Sequence, residues 1–358
     1  MFTPVALACL LIGSGINSAS PQTPATEFTL DKAYRTQTID ALCKAINDRY
    51  VFPEVAKKME TDLRKRMAEG EFDTLESGAD FAIRVNELLK SQVTDAHLRF
   101  RFSPDVLPVR KNPGQPSEDE IKRASEQSRV SNAGFEAVER LPGNIGYVRF
   151  NYFDDPSEMK RPTAAVFRFL ANTDALIIDL RQNGGGDPAG VQLFCSYLFG
   201  AKPVHLNSIY FRNGASGTTT DFWTLKTIDG PRYLNKDVYV LTSKNTGSGA
   251  EECAYDLQNL KRATIVGEPT WGGANPGGTV RLNDHFSIFI PSGRAINPYT
   301  KTNWEGTGVK PDIAENPDTS LKATHILALK ALLAKAKDPD AKQRLEASIK
   351  QIAGETSN

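Results

Sequence analysis

A serine set between glycines, Thr246-Gly247-Ser248-Gly249-Ala250-Glu251, is the segment of this chain best suited to covalent chemistry. It follows a strand-like run, Asp237 to Leu241, and opens a helix-like run, Ala250 to Leu260. At a strand-to-helix turn the first helical N–H groups point outward and carry the positive end of the helix dipole. That environment suits a nucleophile and stabilises an oxyanion. The same residues also spell S-x-x-E, a capping box that ends a helix without any chemistry. A catalytic reading therefore needs a base, an orienting acid and a second oxyanion donor from elsewhere.

A second segment, Asp179-Leu180-Arg181-Gln182-Asn183-Gly184-Gly185-Gly186-Asp187, supplies a candidate donor. Three glycines directly after a buried strand permit positive φ and close backbone approach, so their amides could wall an oxyanion hole. A phosphate loop is a poorer reading, because neither G-x-G-x-x-G nor G-x-x-x-x-G-K-[ST] is present here. A histidine base must be one of His97, His205, His285 and His325. His325 falls in a helical tail, His285 beside a hairpin turn and His205 in a polar loop region. His97, in Thr94-Asp95-Ala96-His97, leaves a helical region and enters a strand. Spacing alone does not choose among the four. Glu305, in Asn303-Trp304-Glu305-Gly306-Thr307-Gly308-Val309-Lys310-Pro311-Asp312, is an acid in a loop between bulky and flexible residues.

The elements that must position these residues follow from periodicity. Ile39, Leu42, Ile46 and Tyr50, then Met59, Leu63 and Met67, then Phe81, Val85 and Leu88-Leu89 recur at helical spacing, with breaks near Pro53 and from Gly70 to Asp73. Residues 103–133 read as a polar connector carrying one helix at Glu118 to Gln127. Strands are expected at Ile145 to Phe150, Asp174 to Leu180, Val238 to Leu241 and Ala263 to Val266. Helices are expected at Pro162 to Leu170, at Val191 to Phe199 and after Ser248. Strands alternating with helices indicate a largely parallel α/β core. A hairpin turning at Asn283-Asp284 and a helical tail broken near Asp338-Pro339 complete the pattern.

Of 358 residues, 40% are hydrophobic and 24% charged, an ordinary globular composition with room for one large domain and a smaller one. Lys+Arg and Asp+Glu both total 43, so no net charge draws the chain to nucleic acid or to a membrane surface. Val5 to Gly13 is an apolar run too short to span a bilayer, followed by small residues through Ser20. It reads as a secretory signal peptide at residues 1–20, although its n-region lacks Lys and Arg. Removal of that segment takes Cys9 with it and leaves no transmembrane anchor. Cys43, Cys195 and Cys253 remain, an odd and widely spaced set without a metal signature, and read as buried small hydrophobes. Trp223, Phe222 and Phe211 read as core packing residues ahead of cleft lining.

Taken together, the segments resemble the C-terminal processing (tail-specific) serine protease superfamily, and most closely its tricorn and interphotoreceptor retinoid-binding protein branch. The resemblance is carried in order by the helical N-terminal part, Asp95-Ala96-His97, Ile145 to Phe150, Asp179 to Gly186, Ser248 to Gln258, Val266-Gly267-Glu268 and Gly308-Val309-Lys310-Pro311-Asp312. It implies an α/β fold with a ClpP/crotonase-like core and an N-terminal helical bundle. It maps the nucleophile onto Ser248, the base onto His97 and the supporting acid onto Glu305. The oxyanion donors would be the amides of Gly249 and of Gly184 or Gly185. The Ser-Lys version of the family is disfavoured, because Thr270-Trp271-Gly272-Gly273 stands where its lysine motif is expected, and neither Lys244 nor Lys261 occupies that position. Ala96 stands where tricorn has a serine that helps orient the histidine.

The resulting organisation is a signal segment at 1–20, a helical bundle at 28–101, a connector at 102–136, an α/β peptidase core at 137–320 and a helical tail at 321–358. The stretch after Phe102 is too short for the PDZ domain many tail-specific proteases carry, so none is expected. The implied function is a periplasmic or extracellular serine peptidase acting on peptides or proteins, with no cofactor and no metal. Two alternatives stay open on the same fold: a carrier of hydrophobic ligands with weak or no activity, and an esterase. The oligomeric state is left open.

Overall fold

A computed structural model of the chain describes residues 28–109, 117–214 and 216–354; the apolar run at residues 5–13 and Cys9 lie outside them. Three helices come first, α1 (Lys32–Arg49), α2 (Pro53–Ala68) and α3 (Gly78–Gln92). Their starts follow local chemistry. Asp31 accepts the Tyr34 amide, Pro53 fills the first turn of α2, and Ser77 accepts the Ala79 and Asp80 amides. The helical stripe expected from spacing is the buried one, with Ile39, Leu42, Ile46, Leu63, Phe81 and Val85 at most 2% exposed. β1 (Arg99–Phe102) follows. α4 (Glu118–Val130) opens on a capping box between Ser117 and Glu120.

The α/β part runs β2 (Phe135–Leu141), β3 (Ile145–Phe150), α5 (Pro156–Leu170), β4 (Ala175–Asp179) and α6 (Pro188–Ser196). A ribbon of β5 (His205–Asn213) and β6 (Ser216–Trp223) interrupts it before β7 (Asp237–Thr242), α7 (Gly249–Asn259) and β8 (Thr264–Gly267). Then come β9 (Gly277–Arg281), β10 (Phe286–Pro291), β11 (Gly293–Ile296), β12 (Ile313–Ala314), α8 (Pro317–Lys335) and α9 (Pro339–Gly354). One six-stranded sheet has the order β12-β8-β7-β4-β3-β2, parallel throughout except for β2.

All five residues of β4 are buried, because helices cover both faces of the sheet at that strand. Leu176, Ile178 and Val240 pack beneath α5, α6 and α7, while Ala175, Ile177 and Tyr239 pack beneath α8 and α9. The alternation is the two-residue period of a strand read on its two faces. α5 begins earlier than apolar spacing indicates, because Asp155 caps it and Pro156 starts it; Pro162 lies inside it. α6 likewise starts at Pro188, where Asp187 accepts the Ala189 amide.

Two parts of the architecture differ from the sequence reading. The region around His205 is not a loop but an antiparallel ribbon, β5 paired with β6 on one side and β11 on the other. β6 is exposed from Ser216 to Asp221, so it has no apolar alternation to announce it. The β9–β10 hairpin pairs with β1, and its Phe286, Ile288 and Ile290 complete the apolar cluster of α1, α2 and α3. The N-terminal helices thus enclose a hairpin from far along the chain. Their junction is also tied by backbone, with the Val51 amide donating to the Pro291 carbonyl.

Candidate active site

β4 and β7 are parallel neighbours, so the segments leaving their carboxyl ends emerge side by side. This is the edge at which open α/β sheets place ligands. The first segment is the glycine turn and the second leads to Ser248. Ser248 has φ 49° and ψ −119°, a left-handed conformation costly for a residue with a side chain. It stands immediately before α7, whose N-terminal amides face it. Gly185 at φ +106° lies against it, and a Cβ there would sit 2.6 Å from the Ser248 Cβ and 2.8 Å from the Gly249 nitrogen. Glycine is required at 185 for both reasons.

Asn183, fully buried, welds the two segments. Its Nδ2 donates to the Phe150 carbonyl, its Oδ1 accepts the Gly185 amide, and its backbone carbonyl accepts the Gly247 amide. The Gly184 amide donates to the Asn151 carbonyl. Both amides expected from the turn as oxyanion donors, Gly184 and Gly185, are therefore committed to the turn itself. The reason is that φ above +100° at Gly185 and Gly186 folds the loop back on Asn151 and Asn183. Among the described residues the amides of Gly186 and Gly249 have no protein acceptor, and Gly186 approaches Gly249 closely.

Glu251 does more than cap α7. Its fully buried carboxylate accepts the Ser248, Gly272 and Gly273 amides at 2.9, 2.6 and 2.9 Å and the Thr270 hydroxyl at 2.5 Å. Burial raises its pKa while these four donors lower it. The carboxylate fixes the loop Thr270 to Gly273 against the serine turn. That loop carries Trp271, 46% exposed, whose indole lies beside Gly247 and meets the His97 ring edge-on at 4.8 Å.

His97 is half-buried between Trp271 and Phe289, whose ring stacks on it at 5.7 Å. Gly273 is needed beside it, since a Cβ there would meet the His97 Cε1 at 2.7 Å. Burial lowers the His97 pKa to about 4, so the ring is neutral near pH 7 and able to accept a proton. Its Nδ1 is buried without a hydrogen-bond partner. One donor atom from each of Asp95, His97 and Glu305 lies within 4.8 Å of the others. Glu305 accepts the Ala96, Ala274 and Asn275 amides at 2.9, 2.6 and 3.0 Å. Burial, then the Asp95 charge, raises its pKa to about 7 against the pull of those amides. Asp95 accepts the Tyr50 hydroxyl, the Asn275 side-chain amide and the His97 backbone amide. With both carboxylates so engaged, this donor set suits a proton network rather than a cation.

The loops that carry Ser248 and His97 are bridged by Trp271, which lies beside Gly247 and against the His97 ring, while donor atoms of His97 and Glu305 come within 4.8 Å of each other. Among the described residues no hydrogen bond joins Ser248 to His97 or His97 to Glu305; such bonds often tighten only when substrate binds. The other histidines lie elsewhere. His205 stacks on Trp223 and meets the Ser208 hydroxyl, His285 contacts the Ser103 carbonyl, and His325 is buried in α8 against the Pro142 carbonyl. Trp223 is 44% exposed on β6 and is not a core residue. Sequence spacing located Glu251 only as a cap, and nothing in the sequence pointed to its bonds with Gly272 and Gly273, or to the roles of Asn183 and Asp95.

The profile of "Peptidase family S41" matches residues 144–315. The chain is 27% identical over 185 residues to carboxyl-terminal-processing peptidase 2 of Arabidopsis thaliana, covering 48% of this chain and 33% of the relative. It is 27% identical over 185 residues to the tricorn protease of Thermoplasma volcanium, covering 49% of this chain and 15% of that protein. The chain thus spans about a third of the length of the first curated relative it matches. Among solved structures, mature CPAF aligns with a TM-score of 0.54 at 12% identity, over 91% of this chain and 99% of that one. The photosystem II D1 C-terminal processing protease aligns with a TM-score of 0.50 at 17% identity, over 87% and 99%. At these identities the structural likeness establishes the fold.

Proposed function

We propose that this chain, which belongs to the C-terminal processing protease superfamily, peptidase family S41, is a serine peptidase that cleaves peptide bonds through an acyl-enzyme on Ser248. The observation that carries the proposal is the left-handed Ser248 at the head of α7, beside the unclaimed Gly249 amide. In this reading His97 removes the Ser248 proton as the hydroxyl attacks the scissile carbonyl, then returns it to the leaving amine. Glu305 turns toward the orphaned His97 Nδ1, holds the tautomer and stabilises the imidazolium. The Gly249 amide receives the oxyanion, with the glycine turn as the second donor. Gly186 is better placed for that than Gly184 or Gly185, whose amides are engaged. Water then hydrolyses the acyl-enzyme by the same route in reverse roles.

The substrate class is peptide or protein, as the names of the curated relatives suggest. Export is supported by the apolar run at residues 5–13. No helix among the described residues is long and apolar enough to cross a membrane. Incubation with an unstructured polypeptide, with products read by mass spectrometry, tests the reading. New peptide ends with wild type and none with Ser248→Ala are expected. Turnover of p-nitrophenyl esters without peptide cleavage would favour the esterase. Tight binding of a long-chain lipid with neither activity would favour the carrier.

A further inference from the structure

α6 and α7 lie against each other beneath the site, and each follows one of its two critical loops. α6 follows the glycine turn, and α7 begins at Ser248. Where they touch, the Sγ atoms of Cys195 and Cys253 are 3.7 Å apart, both residues fully buried and 58 positions apart in sequence. At 3.7 Å the two sulfurs are in van der Waals contact, and a bond would draw them in to about 2.0 Å. Cys43 sits in the separate apolar cluster of α1, α2 and α3. The odd cysteine count therefore resolves into one facing pair and one isolated thiol among the described residues.

We propose that Cys195 and Cys253 form a disulfide when the chain folds in the presence of a small-molecule disulfide, stapling the helix behind the glycine turn to the helix that carries Ser248. The thiolate of one cysteine attacks the disulfide RSSR and releases one RSH. The second thiolate then attacks the protein sulfur of the mixed disulfide and releases the other. Two S–H bonds are lost, one protein S–S bond forms, and RSSR is reduced to two RSH. The bond forms during folding, while the thiols are reachable. In the folded chain, hydrogen bonding to Cys253, burial and the nearby Glu252 carboxylate hold the Cys195 thiol well above its usual range, so exchange there is slow. The same burial shields the finished bond from reductants.

The test compares the full chain produced in an oxidising secretory compartment with the same chain produced in a reducing cytosol. Each is unfolded in an alkylating agent, digested and mapped. The expected result is a linked Cys195–Cys253 peptide that disappears on reduction, only in the oxidised preparation, with Cys43 alkylated in both. The oxidised form should melt roughly 5 °C or more above the reduced form, and a Cys195→Ala/Cys253→Ala variant should melt alike from both sources. Full alkylation of Cys195 and Cys253 in folded protein from the oxidising compartment would overturn the proposal, as would a bond that involves Cys43.

Discussion

His97 and Glu305 are tuned in opposite directions by the same burial. The histidine is pushed down to about 4 and the glutamate up to about 7. If His97 is the base as proposed, it is neutral above pH 4, and the acidic limb of activity would belong to Glu305. Protonated, Glu305 cannot stabilise the imidazolium; ionised, it can. The rate of active-site acylation should therefore rise through pH 7 and level off above it. Glu305→Gln should lower the rate by about 10²-fold or more and erase that limb. Asp95→Asn should move the limb to lower pH, because the Asp95 charge is part of what raises Glu305. Stopped-time labelling from pH 5 to 9 reads both. A limb unchanged by either substitution would remove Glu305 from the triad. Motif order singles out Ser248, His97 and Glu305 in the sequence, and the structure places donor atoms of His97 and Glu305 within 4.8 Å of each other. The roles of Glu251 and Asp95 were not legible there, because their bonds are to backbone amides and partners far along the chain, and no local spacing records those.

At the scale of elements, the site depends on two loops held by one carboxylate and one glycine. Glu251→Gln keeps the shape but replaces an oxygen acceptor facing several N–H donors with another donor. It should destabilise the protein by roughly 2–4 kcal/mol and loosen Ser248, seen as lower acylation at every pH. Gly185→Ala meets a φ of +106° and the Ser248 Cβ together, so loss of labelling and a fall in stability of about 2 kcal/mol or more are expected from denaturant titration. An alanine variant as reactive and as stable as wild type would show that the turn does not press on the serine. The parallel strands were legible because burial on both faces makes them continuous apolar runs, as Ala175 to Ile178 shows. The β5–β6 ribbon was not, since Thr218, Thr219 and Thr220 face solvent and pair by backbone alone.

Across the whole molecule, the core of the N-terminal helices is completed by the β9–β10 hairpin from far along the chain rather than by elements adjacent in sequence. Periodicity found the helices but could not show that Phe286 completes their core, because the partner lies far along the chain. Phe286→Ala should cost about 3–5 kcal/mol and loosen α1 to α3 and the hairpin together, measured by hydrogen exchange. Protection lost in the hairpin alone would mean the helices stand by themselves. A second global property follows from the buried acids of α7. Burial holds Glu252 and Asp256 well above the usual carboxylate range. Groups raised on folding contribute stability that is present below their unfolded pKa and lost as pH rises through the folded value. Glu305 acts in the same direction up to about pH 7. His97, lowered to about 4, acts oppositely as pH falls below its unfolded value. Stability should therefore decline from mildly acidic to alkaline pH, and Glu252→Gln should flatten that decline in melts between pH 5 and 9.

The central claim is an activated serine. Labelling of the purified protein with a fluorophosphonate, beside Ser248→Ala and His97→Ala, tests it most directly. The account predicts labelling that vanishes in the serine variant and falls sharply in the histidine variant. A folded wild-type protein that takes no label, or label that persists in Ser248→Ala, would contradict it.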